Sequence, residues 1–149
     1  MIRLNLFIFV MALLASTSAS AVESFSCGDA TVTIKFSLSS KSVRNVEATL
    51  SVSRNSKSSV LQYDSNIDFI GAECRRSFNN RPLVVFQAHC GGSGCKDLDN
   101  FGVIDPSDLR VLLVPNDWNK DDVKRITGSN KPIENKFSVI RIGDKLREK

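Results

Sequence analysis

The sequence predicts one mainly β domain, an antiparallel sheet or sandwich with a single short helix and two disulfides. Three observations carry that expectation. Apolar and polar residues alternate strictly in two early runs, four cysteines are spread over the chain, and only one stretch, near 119–127, has helix-like spacing and ends.

The first 21 residues are set apart from the fold. "MIRLNLFIFVMALLASTSASA" places Arg3 before a mainly apolar run from Leu4 to Ala15, followed by small residues. That is the three-part pattern of a secretory signal peptide, with cleavage expected after Ala21. The apolar run is shorter than the roughly 20 residues a membrane span needs. Residues 22–149 are then expected to form one β-rich domain in the periplasm, with no membrane span.

The elements follow in order. In "ATVTIKFSL", Ala30, Val32, Ile34, Phe36 and Leu38 alternate with polar residues, the period-2 signature of a strand with one buried face. "VEATLSVS" repeats it with Val46, Ala48, Leu50 and Val52, and the two runs read as antiparallel neighbours. Residues 54–59 read as a polar turn. "VLQY" (60–63) and "IDFIGA" (67–72) are shorter strand candidates, and 75–82 is a polar connection. "LVVFQAH" (83–89) is a continuous β-branched and aromatic run, expected of a central strand buried on both faces. A hairpin is predicted over 101–114, turning at Asp105 and Pro106. The helix is predicted at 119–127, with Asn119 as N-cap, Asp121 and Asp122 in the first turn, Val123 and Ile126 facing inward, and Gly128 as terminator. "KFSVIRIG" (136–143) reads as a last strand, and "DKLREK" as a frayed charged tail.

The charge balance is mild. The chain carries 20 Lys+Arg and 16 Asp+Glu, a net +4, with the signs interspersed and no basic stripe carrying aromatics. Nucleic acid is therefore not an expected partner.

All four cysteines lie after the leader. An even count in an exported chain points to two bridges, and Cys90–Cys95 with Cys27–Cys74 is the expected pairing of the three that are open. Loop-closure entropy assigns roughly 4 kcal/mol to the long bridge and roughly 2 kcal/mol to the short one, which directs attention to a local role for the short ring.

That ring lies in "HCGGSGCKDLDNFGVIDP" (89–106). A zinc site built from His89, Cys90 and Cys95 would need a fourth ligand and reduced thiols, against an oxidising compartment. A calcium loop would place Asp97, Asp99, Gly102 and Asp108 at EF-hand positions, but Phe101 stands where an oxygen ligand belongs. A serine hydrolase would pair Ser93 with His89, but "GGSGC" breaks the nucleophile-elbow pattern, and bridged cysteines leave no thiolate. The expectation is a protein that is not an enzyme and needs neither metal nor cofactor.

What remains is mechanical. Each ordered glycine costs about 0.5–1 kcal/mol more than alanine, so three in one small ring call for a reason. A bridge between Cys90 and Cys95 would stiffen the ring in advance, leaving exposed N–H groups, one hydroxyl, and little bulk. Such a ring suits insertion into another protein's cleft. Gly91, Gly92 and Gly94 would permit close approach, Ser93 would be the tip contact, and His89 and Asp97 would flank the mouth. The plainer alternative is a stapled turn that merely ends a strand.

The Cys-x-x-x-x-Cys spacing of Cys90 and Cys95 resembles the protruding loop of the Ivy-type periplasmic lysozyme inhibitors, although the Gly-Gly-Ser-Gly interior lacks the charged and histidine residues found there. The export signal, mature size, β pattern and Ser-bearing loop also resemble periplasmic immunity proteins against type VI secreted peptidoglycan amidases. Those likenesses imply a secreted inhibitor or immunity protein whose partner is a peptidoglycan-degrading enzyme or toxin, with Ser93 as the residue that reaches its catalytic centre. A homodimer is also compatible with the sequence. The competing class is a non-catalytic envelope structural protein or a small-ligand or glycan-binding module.

Overall fold

The computed structural model describes residues 20–41, 45–63, 67–92, 100–116 and 118–148. Two antiparallel sheets form. The first comprises β1 (Ser20–Cys27), β2 (Ala30–Leu38), β3 (Val46–Arg54) and β4 (Lys57–Tyr63), paired in that order. The second comprises β5 (Phe69–Arg76), β6 (Pro82–His89), β7 (Gly102–Ile104), β8 (Val111–Leu113) and β9 (Lys136–Ser138), in the order β8-β7-β6-β5-β9. Two helices complete the chain, α1 (Lys120–Thr127) and α2 (Val139–Arg147).

The alternation of β2 and β3 does what the sequence implies. Val32 lies opposite Val52, Ile34 opposite Leu50 and Phe36 opposite Ala48. All six side chains are buried, and they join Ile70, Val84, Phe86, Ala88 and Ile104 of the second sheet in one core. Strand β6 is central and buried on both faces, as its unbroken apolar run predicts. Val84, Phe86 and Ala88 face the first sheet. Leu83 and Val85 face a second cluster with Phe101, Val103, Ile133 and Val123 of α1. The one polar side chain in the middle of that run, Gln87, is fully buried and accepts a hydrogen bond from Ile133 N (2.7 Å). That bond meets the demand that a buried amide find a partner.

The predicted long bridge is present: Cys27 at the end of β1 joins Cys74 on β5, with Cα atoms 5.2 Å apart. The β3–β4 connection is tighter than the sequence suggests. Asn55 and Ser56 both take positive φ (48° and 64°), as a two-residue type I′ hairpin requires, so β4 begins at Lys57 rather than at 60.

The end of the chain corrects the sequence expectation twice. Only Lys136–Ser138 of the predicted strand 136–143 is extended, and α2 replaces the rest, so the described residues hold two helices rather than one. Ser138 caps α2, its Oγ accepting from Arg141 N (3.4 Å). Val139, Gly143 and Leu146 recur at helical spacing on the buried face. Gly143 lies so close to Val46 that an added Cβ would sit 2.5 Å from its Cγ2. The expected frayed tail is helical through Arg147, whose guanidinium meets Asp144 at 2.6 Å. No helix among the described residues is long and apolar enough to cross a membrane.

Candidate functional site

One end of the second sheet gathers the residues around the glycine ring. Strand β6 finishes there, β5 and β7 begin there, β8 ends there, and both helices start nearby. His89, Cys90, Gly91 and Gly92 therefore leave the sheet at a rim built from several elements.

Asp68 is the centre of that seat. Its backbone N–H donates to His89 O (2.8 Å), its carbonyl accepts from Val139 N (2.9 Å), and its Oδ2 accepts from Gly91 N (2.7 Å). One residue thus ties the end of β6, the start of the ring and the first residue of α2. A carboxylate accepting from a backbone N–H is among the stronger hydrogen bonds in proteins. Phe69 packs against His89, with ring centroids 5.3 Å apart at a tilt of 35°.

The predicted site residues divide into three groups. His89 is only 8% exposed, and its Nδ1 lies 3.1 Å from Cys90 O, so it belongs to the foundation of the ring. Gly91 and Gly92 are exposed. Gly91 has an internal reason to be glycine, because a Cβ there would lie 2.9 Å from Phe69 Cε2 and 3.3 Å from Asp68 Oδ2. Cys90 carries no free thiol. Its predicted partner Cys95, with Ser93, Gly94 and Asp97, lies outside the described residues, as does Asp99 of the calcium alternative.

The returning strand is fixed by two asparagines. Asn100 Nδ2 donates to Ala88 O (3.2 Å). Asn119 stands at the N-cap position of α1, but its side chain makes no cap hydrogen bond. It turns inward instead. Its Oδ1 accepts from Phe101 N (2.8 Å), and its Nδ2 donates to Phe101 O (2.6 Å) and Val114 O (3.0 Å). Val114, whose carbonyl Asn119 holds, and Trp118, which precedes Asn119 in the chain, are exposed apolar residues at 68% and 70%.

Sequence reading missed Asp68 and Phe69 as supports and assigned Asn119 the wrong bond. The available signal was an acidic residue at the head of a strand candidate, and it gains meaning only once β5 and β6 are in register. No protein-family model, curated protein or solved structure matches this chain.

Proposed function

We propose that the chain is a secreted periplasmic inhibitor or immunity protein, which binds a cell-wall-degrading amidase or lysozyme by inserting the Cys90–Cys95 ring into its active-site cleft. The observation that carries this reading is the seat of the ring: Gly91 and Gly92 are exposed, while Asp68 grips Gly91 N at 2.7 Å. A projection anchored at its root loses less freedom on binding than a loose loop, and that difference appears as affinity. Exposed Trp118 and Val114 supply apolar area that a partner can cover. Ser93 is the tip contact, and the protein is non-catalytic in this role.

The test is inhibition. Purified protein is assayed against a panel of peptidoglycan amidases and lysozymes, together with the Ser93→Trp variant. Inhibition of one target, lost in Ser93→Trp while the thermal midpoint stays put, supports the reading. Removing Cys90 and Cys95 together is expected to weaken binding by about 1–3 kcal/mol through loss of preordering. Equal inhibition by Ser93→Trp, or no inhibition of any enzyme in the panel, overturns it.

A further inference from the structure

A cleft of about 410 Å³ opens at the corner between β9 and α2. Phe69, Phe137 and Ile142 line it together with Lys136, Arg141 and Lys145, and no acidic residue does. Elsewhere six arginines, Arg54, Arg75, Arg81, Arg110, Arg125 and Arg147, lie against a carboxylate, and Arg76 donates to Asn80 O. Among the described residues, Arg141, Lys136 and Lys145 have no such partner.

The arrangement runs against the folding interest of the helix. Arg141 stands in the first turn of α2, which contains no acidic residue, so a cation faces the positive end of the helix dipole. Arg141 and Lys145 are also four residues apart on one helix, where like charges repel by a few tenths of a kcal/mol. An anion arriving from outside relieves both.

We propose that this cleft binds a segment of a partner protein that presents a carboxylate beside an apolar side chain. The carboxylate meets the planar guanidinium of Arg141, which suits two-point recognition, with the lysine ammonium groups alongside. The apolar neighbour lies against Phe69, Phe137 and Ile142. Charge complementarity selects an acidic segment, and the concave aromatic wall selects a side chain over a flat lipid surface. Phe69 also packs on His89, so the cleft adjoins the ring's rim. The inference is independent of whether the ring enters an enzyme.

The test is an NMR titration of the purified protein with a blocked Gly-Asp-Phe-Glu-Gly peptide, its Asn/Gln counterpart, and phosphatidylglycerol vesicles. Saturable shifts confined to Phe69, 136–138 and 140–145, for the acidic peptide only, are expected. Arg141→Glu is expected to weaken that binding at least about tenfold while raising the thermal midpoint of the free protein, since it places an acid in the first helical turn. Lys136→Gln, which leaves α2 untouched, is expected to weaken it by a smaller factor. Equal binding of the Asn/Gln peptide, unchanged affinity in Arg141→Glu, binding to vesicles alone, or no saturable shift overturns the proposal.

Discussion

Asn119 holds both polar groups of the Phe101 backbone at once, accepting from its N–H at 2.8 Å and donating to its carbonyl at 2.6 Å. A side-chain amide is here mimicking the edge of a neighbouring strand, and it does so fully buried. Asn119→Ala strands the N–H and C=O of Phe101 and the C=O of Val114. Because unsatisfied buried groups cost about 1–3 kcal/mol each and relax in part, a loss of about 2–4 kcal/mol is expected in urea unfolding. Asn119→Asp keeps the acceptor but loses the donor, and is expected to be nearly as damaging. A change below about 0.5 kcal/mol in both variants would show that the staple is dispensable.

The seat of the ring is open to a similar test. Asp68→Ala removes the acceptor of Gly91 N but leaves the backbone bonds to His89 and Val139 in place. Faster amide hydrogen exchange at Gly91 and Gly92 is expected, with the rest of β6 unchanged. Gly91→Val forces a side chain into Phe69 and is expected to perturb the Phe69–His89 pair, visible as shifted aromatic resonances.

Gly102 marks where backbone and ring meet most closely. A Cβ built there would lie 2.0 Å from Phe86 Cζ, and Phe86 is fully buried. Gly102→Ala is expected to destabilise by about 3 kcal/mol, as overpacking at a site with no slack does. Phe86→Leu should recover part of that loss in the double variant although it destabilises alone, a non-additivity measurable by a double-mutant cycle.

Asp105 supplies the acid sensitivity. It is 1% exposed, and burial by itself would raise its pKa. The Ser107 hydroxyl and N–H, with Arg81 and Arg110, outweigh burial and hold the carboxyl below its ordinary range. A carboxyl with a depressed folded pKa contributes stability above its unfolded value, about 3.9, and the contribution is lost as pH falls through the folded pKa. Unfolding free energy is therefore expected to drop below about pH 4. Asp105→Asn is expected to be less stable at pH 7 and to show a shallower acid decline.

Much of the fold was legible because burial on one face forces a readable period. Val32, Ile34 and Phe36 could only be a strand with one wet side, and the unbroken run 83–89 could only be central. Strand β1 was missed because it is an edge strand with most of its residues exposed, so nothing in "SAVESFSC" imposes alternation. Helix α2 was missed because the short run carries both spacings: Phe137 and Val139, like Ile140 and Ile142, are two apart, whereas Val139 and Ile142 are three apart. Ser138 as cap, with Leu146 seven positions after Val139, decides it. The site was half legible. Glycines and cysteines drew attention to residues 90–95, of which 93–95 lie outside the described residues, but Asp68 lies 23 residues from Gly91, and only the β5–β6 register brings them together.

The covalent tie and the carboxylate grip stand at opposite ends of β5: Cys74 bridges to Cys27 near its close, whereas Asp68 immediately precedes its start. Six residue steps along the strand, roughly 20 Å, separate them. Replacing Cys27 and Cys74 together by alanine thus unlatches the two sheets at the far margin, while the hydrogen bonds beneath Gly91 are left intact. The covalent staple and the support of Gly91 are lodged in different quarters of the molecule, so losing the latch is expected to lower global stability before it loosens the backbone at Gly91.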